Sequence, residues 1–233
     1  CLKRLFAALS AEGYRFASMA ECAPDGPPRD SILLTADDGY LSHARHLAPL
    51  LRELGIPWTV FVLAGSLGGR NRWDSPLVGP RERHLTGDEI AALAEEGVTI
   101  GSHGMTHRDF TRLDGETLAE ELGRSRDVLR RISGQPLDLV SYPRGRVDAR
   151  VARAARRAGF RLGFAAARAF RAEPDLTPLA IPRTALYAPD QIPGVFARTA
   201  LRARGPLTAV RPALARLGDA LIVTALRIQG GRH

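Results

Sequence analysis

Cysteine is nearly absent: Cys1 and Cys22 are the only two in 233 residues, and both precede the first segment that reads as a strand. Two thiols so placed exclude a disulfide framework and a four-cysteine zinc site. No apolar run reaches the roughly 18 residues that a membrane-spanning helix needs, and no charged-then-apolar leader opens the chain. The first residue is Cys1 rather than Met, so a leader on the full gene product stays open. The expected compartment is the cytoplasm, with envelope association as the alternative. Lysine is missing except for Lys3, and there is no internal repeat or low-complexity linker.

What is present suffices for one sizeable core, since 45% of the residues are apolar. One domain over residues 1–187 is expected, followed by a basic, partly helical extension over 188–233 packed on it. The formal charge is +8, but from Arg144 to His233 there are 17 arginines against five acidic residues, +12, which leaves −4 for the preceding part. Such asymmetry can mark a nucleic-acid or anionic-membrane face. In a chain rich in Ala, Arg and Gly it reads better as solvated helix faces, and no nucleic-acid partner is expected.

Short β-rich runs alternate with segments of helical period, which predicts an α/β fold with a mainly parallel sheet. The candidate strands are Ser31–Asp37, Trp58–Ala64, Val98–Ser102, Leu137–Tyr142, Phe160–Ala165 and Leu179–Thr184. The candidate helices are Ala44–Leu54, Gly87–Glu96, Gly115–Ser133 and Asp148–Ala158, with Thr86 as a cap before Glu89. Leu47, Leu50, Leu51 and Leu54 give the first helix an apolar stripe for the core.

In such folds chemistry sits at the C-terminal ends of the strands. The first strand ends in Asp37-Asp38-Gly39-Tyr40, two carboxylates that can converge where the backbone turns. The third ends in His103-Gly104-Met105-Thr106-His107; if that segment makes one helical turn, both imidazoles reach one ion. Each motif alone has a plain structural explanation, a turn in one case and an accidental pair in the other. Together they describe two imidazoles and a carboxylate, a donor set suited to zinc, nickel or cobalt that leaves positions for water and substrate. The fourth strand ends in Tyr142-Pro143-Arg144-Gly145, a turn able to aim a backbone N–H into the same pocket.

These three motifs, in this order and spacing, resemble those of the polysaccharide deacetylases, the carbohydrate esterases of family four with NodB-type domains. The similarity extends from about Phe6 to Thr184, including Ile56-Pro57-Trp58-Thr59-Val60-Phe61-Val62 and the loop Gly69-Arg70-Asn71-Arg72-Trp73-Asp74. It is greatest to the branch found with exopolysaccharide or cell-wall glycan synthesis. The resemblance implies a distorted (β/α) barrel, a carbohydrate substrate, and a divalent metal, zinc first, on Asp38, His103 and His107. It also implies Asp37 as the base that deprotonates the attacking water, the Arg144 N–H as oxyanion donor, and sugar contacts from Tyr40, Tyr142, Pro143 and Trp73.

Departures from the pattern bear on that expectation. Ala36 replaces an aromatic residue, which predicts looser packing under the metal. Ser141 stands where many members have the arginine that orients the base, and Arg183 is the candidate substitute. No histidine lies between His107 and His233, so the acid for the leaving amine is unassigned. His43 and His46 read as surface residues of an Arg-rich helix, and Trp73 as either a stacking or a core aromatic. The Ile192–Gly230 segment is basic and amphipathic; packing on the barrel is preferred over lying on a membrane surface. Three functions remain: N-deacetylation of sugars, O-deacetylation by the same site, and a silent glycan-binding or assembly role.

Overall fold

The structure is a computed structural model, and it describes residues 2–22, 28, 30–71, 82–166, 174–186 and 221–225. Seven strands follow one another in sequence order, each parallel to the last: β1 (Arg15–Phe16), β2 (Ser31–Ala36), β3 (Trp58–Val62), β4 (Thr99–Ser102), β5 (Leu139–Ser141), β6 (Leu162–Ala166) and β7 (Ile181–Leu186). The sheet curls, and β8 (Leu221–Ala225) runs antiparallel to both β7 and β2, which brings the strand order back to β2. This is the distorted (β/α) barrel that the motifs imply. All six strands expected from the sequence are present, with no end moved by more than two residues.

Helices α1 (Leu2–Ala11), α2 (Ala48–Glu53), α3 (Gly87–Glu95), α4 (Gly115–Ser133) and α5 (Ala149–Arg157) cover the outside. Three of them begin on a side-chain oxygen that accepts a backbone N–H: Thr86 for α3, Asp114 for α4 and Asp148 for α5. At α3 the expected capping box forms, with Glu89 reaching back to the Thr86 N–H at 2.8 Å. The first expected helix differs in form, because His43–Leu47 is a π-helical turn that runs into α2. Pro49 explains the widening: it has no N–H for the carbonyl of Arg45, and its ring would crowd that carbonyl in a regular α-turn.

Strand parity sorts the core into layers. Ile32, Leu34 and Ala36 of β2 join Val60 and Val62 of β3 against α1, α2 and α3. Val140, Tyr142 and Ala165 pack on α4 and α5. Inside the barrel, Leu33, Phe61, Leu139, Leu162, Phe164 and Ile181 form an apolar plug. The next inward positions, above the plug at the C-terminal rim, are Thr35, Asp37, His103, Ser141 and Arg183. Fold and site are therefore one arrangement, with apolar residues filling the barrel and polar ones closing its top. Ala36 belongs to the outer layer, so it packs towards the helices and the expected gap under the site does not arise.

Two further expectations change. Leu221 and Ile222, read as part of a helix, lie in β8; the apolar run Leu221-Ile222-Val223 with Thr224 supplies β-branched residues to an interior strand. The rest of the 188–233 extension, and with it the surface proposed for a membrane, falls outside the described residues. Among the described residues no helix is long and apolar enough to cross a membrane.

Candidate metal centre and base

Asp37 and Asp38 leave β2 at its C-terminal end. Asp37 continues the inward parity of Leu33 and Thr35, and Asp38 would then face outward. A left-handed turn prevents this: Asp38 has φ 72° and Gly39 φ 64°. For a non-glycine residue that conformation carries strain of roughly 1–2 kcal/mol. His84 holds the turn through its Nδ1, 2.9 Å from the Asp38 carbonyl oxygen.

The result is convergence. Asp38 Oδ1 lies 3.5 Å from His103 Nε2 and 3.6 Å from His107 Nε2, and the three donor atoms fall within 4.8 Å of one another. Two ligands bound tetrahedrally at ~2.0–2.1 Å sit about 3.4 Å apart, so the Asp–His spacings suit a shared ion. His103 Nδ1 donates to the Ser141 carbonyl at 2.7 Å, which fixes the tautomer and leaves Nε2 with its lone pair towards Asp38. Burial pushes both imidazole pKa values down, His107 to about 3 with the positive charges of His103 and Arg144 adding to the effect. Neutral imidazoles are what a metal requires.

The His103–His107 segment is not helical. It is a loop with Gly104 at φ 84° and His107 at φ 59°, closed by a residue the sequence reading passed over. Glu121 of α4, only 5% exposed, accepts the Met105 N–H at 2.7 Å, the Thr106 N–H at 3.1 Å and the Thr106 hydroxyl. The signal was legible: Leu118, Leu122 and Leu129 define the buried face of α4, and Glu121 is a charge on that face. Glu121→Ala leaves two part-buried N–H groups without an acceptor, each worth up to ~1–3 kcal/mol. A loss of about 2 kcal/mol in denaturant unfolding is expected, and Glu121→Gln, which keeps one acceptor oxygen, loses less.

Beside the three donors stands Asp37. Arg183 grips it with two bonds, Nη1 to Oδ1 at 2.9 Å and Nη2 to Oδ2 at 2.7 Å. Ser141 Oγ donates to Asp37 Oδ2 at 3.0 Å and accepts from Arg183 Nη2 at 2.6 Å. The guanidinium is buried, lies 5.4 Å from the Phe61 ring centroid and also reaches Thr35 Oγ1. Burial raises the Asp37 pKa, but the charge of Arg183, then that of His103, and the hydrogen bonds overcome it and hold the carboxyl at about 2. Ser141 therefore joins both halves of the site, its carbonyl orienting a histidine and its hydroxyl the carboxylate. Its short side chain leaves room for Arg183 to enter from β7.

The sequence-predicted residues divide accordingly. Asp37, Asp38, His103, His107 and Arg183 come together. Arg144 lies near them on the turn after β5, with φ 60° and its charge felt at His107. Tyr40 and Tyr142 are a correction, since both are core residues: Tyr40 is 2% exposed, stacks on His84 and accepts from Asn71 at 2.7 Å. Tyr142 is fully buried and donates to the Leu179 carbonyl at 2.8 Å. Pro143, next in the chain, is buried as well. With no ring face at the surface, these three cannot lie against a sugar. Trp73 is outside the described residues. His43, read as a surface residue, is 5% exposed against Tyr40 and Trp58, and burial lowers its pKa to about 4.

Residues 25–163 match the family model for polysaccharide deacetylase. The chain belongs to the polysaccharide deacetylase family. Among relatives in that family, the chitooligosaccharide deacetylase of Rhizobium leguminosarum bv. trifolii is 30% identical over 100 residues, 42% of this chain and 39% of that protein. YxkH of Bacillus subtilis strain 168, named for the same family, is 26% identical over 137 residues, 59% of this chain and 45% of the relative. The chain thus spans less than half the length of these curated relatives. The solved structure of IcaB from Ammonifex degensii superposes with a TM-score of 0.67 at 27% identity, over 83% of this chain and 85% of that one. The Streptococcus pyogenes deacetylase PplD, in complex with acetate, gives 0.57 at 20% identity over 69% of each chain and shares the fold.

Proposed function

We propose that the protein is a metal-dependent deacetylase that removes acetyl groups from N-acetylhexosamine units of a glycan, oligosaccharide or lipid-linked sugar. The observation that carries this reading is the convergence of Asp38, His103 and His107 next to a carboxylate that Arg183 holds ionised. Family membership and the chitooligosaccharide deacetylase relative support the substrate class.

Asp38, His103 and His107 would hold a divalent cation, zinc first on the chemistry of the donors, with cobalt and nickel as alternatives. Such a cation polarises water and an acetyl carbonyl, so that only a weak base is needed. Asp37 is that base. Its two oxygens are tied by Arg183 and Ser141, so the carboxylate is oriented before substrate arrives and stays ionised at neutral pH. A proton taken up by a carboxyl with so low a pKa is readily surrendered, which makes Asp37 also the group suited to return it to the leaving nitrogen. The Arg144 N–H, in the left-handed turn after β5, is assigned to the developing oxyanion.

Acetate release from N-acetylchitooligosaccharides, with and without chelator, tests the proposal. Release that stops on chelation and returns with zinc is expected. Release from O-acetyl sugars alone would move the reading to an esterase, which the missing acid histidine favours because an alkoxide leaves more easily than an amine. No release from either kind of substrate would leave a glycan-binding role.

A further inference from the structure

A cleft of about 490 Å³ is lined by Arg108, Asp109, Arg112, Leu113, Arg144 and Arg146. That volume is within the range of small-molecule sites. Four guanidiniums face a single carboxylate, and the carboxylate is already committed. Asp109 accepts from Arg146 at 2.9 Å, lies 3.6 Å from Arg112 Nε, and has its other oxygen taken by the Thr111 N–H and hydroxyl. Asp109 thus acts as a strut that holds two arginines at one wall. Among the described residues neither Arg108 nor Arg144 has a carboxylate partner. Arg108 follows His107 directly in the chain, and Arg144 sits on the turn after β5, three residues past Ser141. Through Arg108 and Arg144 the positive cleft adjoins the two segments that carry His107 and Ser141.

A neutral homopolymer of acetamido sugars has no use for such a wall. Keeping unpaired guanidiniums together is unfavourable by mutual repulsion, and an anion bound between them relieves it. We infer that the cleft is an anion subsite, and that the substrate carries a phosphate or carboxylate near the acetamide that is cleaved, in contact with Arg108 and Arg144. This rests on the deacetylase reading and narrows it to acidic glycans or phosphate-linked amino sugars.

The test is a binding titration with three probes: N-acetylglucosamine 1-phosphate, a glucuronic acid–N-acetylglucosamine disaccharide, and neutral di-N-acetylchitobiose. At least one anionic probe is expected to bind about tenfold more tightly than the neutral one, with an advantage that shrinks as salt rises. In the Arg108→Gln, Arg112→Gln double variant the advantage is lost while the neutral probe binds as before. On a turned-over anionic substrate the same variant raises KM and leaves kcat. A preference for phosphate or for carboxylate identifies the source of the anion. Equal binding of all three probes overturns the inference, and so does a preference that survives in the double variant, since the anion would then sit on the donor site. Because binding is read apart from turnover, a lack of acetate release would count against the deacetylase reading and not against the subsite.

Discussion

Replacing Arg183 with methionine should lower kcat for acetate release about a hundredfold or more, in the range attributed to a positioned general base, and move the acid limb of the pH profile to higher pH. Asp37 is subject to two opposed effects: burial favours its neutral form, and Arg183 outweighs burial to hold the pKa at about 2. Without the guanidinium, burial is opposed only by His103 and the Ser141 hydrogen bond, so the carboxyl pKa rises and the proposed base is protonated at higher pH than in the parent. Stability changes with the opposite pH sign in the two proteins. In the parent, the folded pKa lies below the ordinary 3.8, so the pair stabilises the fold above that pH and the contribution is lost as pH falls through about 2. In Arg183→Met a buried, unpaired carboxylate with a raised pKa destabilises the fold at neutral pH, by ~3–5 kcal/mol for a broken buried pair. That loss shrinks on acidification. Denaturant unfolding at neutral pH and near pH 4 checks the sign, and an acid limb that does not move would show that Arg183 does not act through Asp37.

Much of this arrangement was legible in the sequence because it follows from local rules. The alternation of strands and helices, the Thr86–Glu89 box and the two clusters of ligating residues are patterns within a few residues of each other. Arg183 is nominated by the family resemblance and not by a local rule, because Ser141 stands where many members have the arginine that orients the base and Arg183 ends a later strand. What escaped depended on tertiary direction. Tyr40 and Tyr142 stand beside chemistry-bearing residues, yet strand parity and the turn after β2 send their rings into the core. Glu121 is fourteen positions past His107 and reaches the histidine loop only because α4 packs across β4. The two-residue β1 is too short to give a period, whereas α1 does show its stripe in Leu2, Leu5, Phe6 and Leu9. The apolar run of β8 is too short for periodicity to tell strand from helix, and its pairing with β2 and β7 decides its conformation.

Asp38→Ala and Asp37→Asn separate the two halves of the site. Asp38 contributes the single anionic donor, and two neutral imidazoles without it bind a divalent ion far more weakly, so Asp38→Ala should lose stoichiometric metal by elemental analysis and all acetate release. Asp37→Asn leaves Asp38, His103 and His107 untouched. It should retain the ion and still lose activity by the hundredfold or more expected of a missing base. The backbone adds a further consequence. Asp38 occupies φ 72°, which alanine tolerates no better than aspartate but glycine adopts freely. Asp38→Gly should therefore be more stable than Asp38→Ala by about 1 kcal/mol when both are measured without metal. Zinc should stabilise the parent and neither variant, because binding to the folded state alone adds to stability. Equal metal content in the parent and in Asp38→Ala would remove the basis of the catalytic proposal, and Asp37→Asn with full activity would remove the base.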